Sequence, residues 1–127
     1  MKITSFNPLI VTKDSEAAIK LFEELGFKKH HTKEGVDGQA NSGVVEYRMK
    51  DDNGFYVDIT QAQKDIPKDY TFIRMNVSDL DEAYNILTER GFRMAKGFDD
   101  AVDTGTSRYR LMVSPTGTIM SITEHIK

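Results

Sequence analysis

Apolar residues recur along this 127-residue chain with two different periods, and each period marks an element. Ile3–Thr12 is dense in β-branched and apolar residues, which predicts a strand. Pro8 inside it predicts an edge position or a bulge, because proline cannot donate to a ladder. The period then lengthens: Ala18, Leu21, Phe22 and Leu25 fall at i, i+3, i+4 and i+7, the stripe of an amphipathic helix. Asp14 is placed as its N-cap acceptor and Gly26 as its left-handed terminator. Three strands are predicted next, over about Phe27–Lys33, Val44–Lys50 and Phe55–Gln61. The run Asp51-Asp52-Asn53-Gly54 joins the last two as a hairpin.

The same grammar then returns. Tyr70–Val77 predicts a strand and Asp79 caps a helix, with Glu82 at the capping-box position, Ala83, Ile86 and Leu87 as its stripe and Gly91 as its stop. Strands follow over about Phe92–Phe98, Arg108–Val113 and Thr118–Glu124, with Ser114-Pro115-Thr116-Gly117 as the turn. Asp14–Phe27 (DSEAAIKLFEELGF) lies over Asp79–Phe92 (DLDEAYNILTERGF), and Gly54–Thr60 (GFYVDIT) over Gly117–Thr123 (GTIMSIT). Two matches in one order at nearly one offset argue for a supersecondary unit used twice. The expected organisation is a single domain of two βαβββ modules, 1–61 and 70–127, joined by a linker at 62–69. The polar stretches Glu34–Gly43 and Asp99–Ser107 hold corresponding places and are candidates for mobile lips over a cavity.

A βαβββ unit buries one sheet face under its own helix and leaves the other open. The fold class expected is therefore α+β, with two modules forming curved mixed sheets around a groove. Strand parity supports an open polar face. Phe55, Val57 and Ile59 point to one side, while Tyr56, Asp58 and Thr60 point to the other. Likewise Met120 and Ile122 oppose Ile119, Ser121 and Thr123. Parity in Val44–Lys50 stays open between Glu46/Arg48 and Tyr47/Met49, and Arg108 and Arg110 are equally undecided.

Composition narrows the chemistry. A net charge of −3 with acids and bases interspersed carries no footprint for nucleic acid. No apolar run reaches the roughly 20 residues of a membrane span. Cysteine is absent, so disulfides, thiolate catalysis and Cys-ligated zinc are out. The opening MKITSF has no signal-peptide core, and a cytoplasmic protein is the simple expectation.

The segments IVTKDSEAAIKLFEELGF, MNVSDLDEAYNILTERGF and SPTGTIMSIT together resemble the vicinal oxygen chelate superfamily of glyoxalases, bleomycin-resistance proteins and extradiol dioxygenases. The resemblance implies a divalent metal held by one side chain from the first and last strand of each module, usually histidine or glutamate. Carried onto this chain, those positions are Asn7 and Asp58, then Phe72 and Ser121. Asp58 is a good ligand, Asn7 a weak one, phenylalanine cannot coordinate, and serine rarely does. No metal and no other cofactor is expected. The metal supplies the Lewis-acid chemistry of such enzymes, and bleomycin-binding relatives lack it and use their groove as a slot. The resemblance therefore implies a metal-free small-molecule binder, expected to be a homodimer. Its rivals are an enzyme, either a glyoxalase-like lyase or isomerase with Asp58 as base or one of dioxygenase type, and a regulatory or interaction domain with a vestigial groove.

Candidate binding residues are thus Asn7, Tyr56, Asp58, Phe72, Arg74, Tyr109 and Ser121. Arg74 shares parity with Phe72 and Asn76 and offers a fork of donors to an anion. Tyr56, Phe72 and Tyr109 are candidate aromatic walls. The plainer reading is a solvated or salt-bridged strand carboxylate for Asp58, a surface position for Arg74, and core packing for the rings. His30 and His31 are expected on opposite faces of a strand, with no third histidine near them. No catalytic residue stands out, since the serines have no histidine–acid partners at recognisable spacing.

Overall fold

Two aspartates start the two helices as predicted. Asp14 caps α1 (Ser15–Glu24), accepting from the Ala17 amide at 3.1 Å, and Asp79 caps α2 (Leu80–Glu89), accepting from Glu82 at 3.0 Å. Glu82 does not complete a capping box; its carboxylate pairs with the amino terminus of Met1 at 2.9 Å. The computed structural model describes residues 1–34, 45–62 and 65–125. Its strands are β1 (Ile3–Thr12), β2 (Lys28–Glu34), β3 (Val45–Lys50), β4 (Tyr56–Gln61), β5 (Tyr70–Val77), β6 (Arg93–Met94), β7 (Val102–Asp103), β8 (Ser107–Val113) and β9 (Ile119–His125). The architecture is α+β, with two units of βαβββ type. Of the expected lip Glu34–Gly43, all but Glu34 lies outside the described residues, as do Val44 and residues 63 and 64 of the expected linker.

The chain divides into two compact units, Asn7–Thr71 and Met1–Phe6 with Phe72–Lys127. In the first unit the strand order is β2-β3-β4-β1. β1 runs parallel to β4 from Leu9↔Asp58 to Thr12↔Gln61, and β3 is antiparallel to β4, with Arg48 opposite Asp58. Within the Asn7–Thr71 unit β1 ends the strand order, the place that Pro8 predicts. Pro8 directly precedes Leu9, where the register with β4 begins, so that ladder demands no donor of it. Under α1, Ile19 packs with Met49, Val57 and Ile59, joined by Ile10, Ala18, Phe22, Phe27 and Tyr47.

In the second unit the order is β1-β5-β9-β8-β6, with β7 also on β8. β5 runs parallel to β9, with Arg74↔Ser121 and Asn76↔Thr123 in register. Its core gathers Met75, Val77, Leu80, Ala83, Met112 and Ile122 beneath α2. The pairing Arg74↔Ser121 is the repeat counterpart of Leu9↔Asp58, so the duplication read in the sequence extends to sheet register.

Several expected details are corrected. Leu21 and Leu25 are 52% and 63% exposed, and the buried stripe of α1 is instead centred on Ile19, at 7%. Ile86, the counterpart of Leu21, is exposed as well. Phe55 is 66% exposed because it belongs to the turn and not to the strand. That hairpin closes with Lys50↔Tyr56, and its loop is held by the Asp51 carboxylate, which accepts from Asn53 and Phe55 amides at 3.0 and 2.8 Å. Gly54, at φ 87°, takes the left-handed residue this loop requires. The strand expected over Phe92–Phe98 stops at Met94, because the Phe98 amide turns back onto Ala95. Within Asp99–Ser107, Val102 and Asp103 form β7 against β8, and Ser107 opens β8 as a buried residue.

Candidate functional site

Each unit has a second sheet face, away from its helix, and the polar candidates lie there. In the Asn7–Thr71 unit, Val57 and Ile59 are committed to the core, which turns Tyr56, Asp58 and Thr60 to the opposite side. Antiparallel pairing carries the parity to β3. Met49 and Tyr47 join the core, so Glu46 and Arg48 share the Asp58 face. This resolves the choice that the sequence left open.

Asp58 is fully buried, and its Oδ2 accepts from Asn7 Nδ2 at 3.0 Å. The Arg48 guanidinium reaches the same oxygen at 3.4 Å and Asn7 Oδ1 at 3.4 Å, both long contacts. Arg48 also lies over the Tyr56 ring, with Cζ 4.1 Å from the ring centroid. Glu46 accepts from the Thr60 hydroxyl at 3.4 Å. Asn7, Asp58 and Tyr56 are thus brought together, with Arg48 as the member that the sequence did not single out.

β2 adds an unexpected feature. Its register with β3 shifts between Lys29 and His31, so His30 is an extra residue at a bulge. Beyond the bulge His31 stands opposite Arg48, and the His30 ring meets Tyr56 edge-on at 5.9 Å. Both histidines therefore lie on the Arg48 face. The expectation of opposite faces assumed unbroken alternation, which one inserted residue cancels.

The other four candidates lie in the second unit. Met75 and Val77 enter the core under α2, which leaves Phe72, Arg74 and Asn76 on the opposite face of β5. Arg74 is buried beside its register partner Ser121, and Asn76 beside Thr123. On β8, Met112 is in the core and Arg110 stacks over Tyr84 of α2 at 4.2 Å, so Arg108 and Arg110 point toward the helix. Tyr109, opposite Thr123, then falls on the face of Arg74 and Ser121. Asn76 contributes an amide whose Nδ2 lies 3.4 Å from His125 Nε2. Among the described residues, Asn76 Oδ1 and Thr123 Oγ1 are buried without a hydrogen-bond partner.

A divalent ion needs three or four protein donors in a dedicated site. Of the four positions that the resemblance assigns, Asn7 and Asp58 meet each other, and their oxygens already face a guanidinium. Phe72 offers no donor. No group of three or more His, Cys, Asp or Glu able to hold a metal occurs among the described residues. These side chains do not fit the ion.

Comparison with known proteins places the fold. A crystal structure of methylmalonyl-CoA epimerase is 20% identical, matching 95% of this chain and 94% of that one with a TM-score of 0.65. A glyoxalase/bleomycin resistance protein/dioxygenase superfamily member from Vibrio splendidus 12B01 is 13% identical, over 97% and 99%, at 0.62. A protein described as NAD-dependent benzaldehyde dehydrogenase from Legionella pneumophila is 9% identical, over 96% and 100%, at 0.67. At such identities the likeness is one of fold. No curated protein matches the chain. No helix among the described residues is long and apolar enough to cross a membrane. The family model spans residues 3–117, and the chain belongs to the Glyoxalase/Bleomycin resistance protein/Dioxygenase superfamily.

Proposed function

We propose that this chain binds a small molecule without a resident metal, on the polar sheet face that carries Asp58. One observation carries the reading: where the superfamily resemblance calls for a cation, the Asp58 carboxylate and the Asn7 amide are held by Arg48 of the same chain. A guanidinium there neutralises the carboxylate without offering a vacant coordination position. It cannot act as a Lewis acid on a bound oxygen. What remains is a face with a guanidinium over an aromatic ring, at Arg48 and Tyr56, and directional polar groups, the ingredients of a binding slot. The resemblance further suggests a cytoplasmic homodimer, which sedimentation at graded concentration tests.

The ligand screen follows from the same reading. Thermal unfolding is measured with aromatic antibiotics, thiol conjugates and methylmalonyl-CoA, the last because a fold neighbour is named for it. A ligand that binds only the folded state adds about 2.7 kcal/mol at a hundredfold excess over Kd. Saturable stabilisation by at least one compound, in protein free of bound metal, is the expected result. A stoichiometric transition ion in protein grown with metals available would end the metal-free reading.

A further inference from the structure

The face around Tyr56 is crowded with basic side chains, of which the Asp58 cluster engages Arg48 alone. Arg48 and Lys50 alternate on β3, so both point to the Tyr56 side; Lys50 Nζ lies 5.5 Å from the ring centroid and Arg48 Cζ 4.1 Å. His30 meets the same ring at 5.9 Å, and His31 stands opposite Arg48. Lys28 is in register with Lys50 and shares its face. Opposing them on this face are Glu46 and Asp58, the former accepting from Thr60 and the latter held by Asn7 and Arg48. Among the described residues, neither Lys28, His30, His31 nor Lys50 has an ion-pair partner. The chain as a whole carries −3, so this local positive charge runs against its average.

Physical chemistry makes such a cluster informative. Two cations drawn to one ring repel each other, and the ring quadrupole offsets only part of that cost. An anionic group seated among them would turn repulsion into attraction and would meet several N–H donors at once. The bulge sharpens the point, since without the extra residue His30 and His31 would fall on opposite faces.

We propose that the β2–β3–β4 face of the Asn7–Thr71 unit holds the anionic group of the bound small molecule, a carboxylate or a phosphate, with Lys28, His30, His31, Arg48 and Lys50 as donors around the Tyr56 ring. This rests on the binding reading above and adds the charge class of the ligand. The aromatic–guanidinium surface takes the ligand's planar or apolar part, and the lysines and histidines its charged end.

The test uses two probes, pyrophosphate and succinate, titrated by calorimetry in low-salt buffer, with sodium chloride at matched ionic strength as the non-specific arm. Saturable binding of pyrophosphate alone assigns a phosphate, and of succinate alone a carboxylate; either outcome supports the site. Lys50→Gln and Lys28→Gln are expected to weaken the bound probe by roughly three- to tenfold each, as loss of one partly screened charge contact should. Lys68→Gln, an exposed lysine of the same unit outside the cluster, should leave Kd unchanged. The inference is overturned if neither probe binds beyond the chloride arm, or if Lys50→Gln matches Lys68→Gln. Failure here stays separate from failure of the broader reading. A neutral compound that stabilises the protein with no anion effect removes only this inference, whereas a stoichiometric metal removes only the metal-free binder.

Discussion

Arg48 is the residue on which the site turns. Its guanidinium stacks on Tyr56 and reaches Asp58 and Asn7, while its side chain keeps 17% of its exposure. A carboxylate and a guanidinium taken this far from water depend on each other, because removing one leaves the other partly desolvated and less well paired. A double-mutant cycle of Asp58→Asn and Arg48→Gln in urea is expected to show a coupling of about 0.5–2 kcal/mol. Strict additivity would mean that the 3.4 Å approach contributes nothing to the fold. The face of Asp58 was legible in the sequence, since Val57 and Ile59 on either side are apolar and must enter a core. That of Arg48 was not. Its side depends on whether the hairpin loop closes at Lys50↔Tyr56 or one residue away, and a one-residue change reverses every side chain on the strand.

At the scale of elements, the caps and glycines located both helices, but the apolar pattern misplaced the buried side of α1. Leu21 and Leu25 are apolar and satisfy helical spacing with Ala18 and Phe22, yet the sheet receives Ile19 with Ala18 and Phe22. Helical periodicity names a stripe only when one side of the helix is apolar and the rest polar. Here apolar residues wrap further round, and only contact with β3 and β4 chooses among them. Ile19→Ala is expected to cost about 2–4 kcal/mol as a cavity-forming change, against less than about 0.5 kcal/mol for Leu21→Lys. Chemical denaturation of the two variants checks this, and comparable losses would restore the sequence-based phase. The bulge at His30 was illegible for a related reason. One extra residue leaves no mark in a polar, charged strand such as Lys28–Glu34.

For the molecule as a whole, duplication is the organising fact, and each unit has its own core. Met49 anchors one and Met112 the other, both fully buried, and the two clusters share no residue. Met49→Ala and Met112→Ala should each cost about 2–5 kcal/mol. Combined, they should add to within about 0.5 kcal/mol, since they have no partner in common. A marked departure from additivity, measured by urea unfolding, would show the cores to be energetically one. The departures from strict repetition are where function is sought. The pairing Leu9↔Asp58 in one unit answers to Arg74↔Ser121 in the other, and Asn7 to Phe72.

Taken alone, the amino-acid sequence determined the two helices and their caps, the doubled βαβββ order, and the sides of Asp58 and Ser121. These rest on local spacing and on which residues tolerate water, and both are written in the chain. Tertiary structure alone decided that Arg48 and both histidines join Asp58 and Tyr56 on one face, and that Tyr109 joins Arg74. Those placements follow from strand register, which is set by how loops close and where a residue is inserted, and a side chain's identity carries no record of the strand beside it.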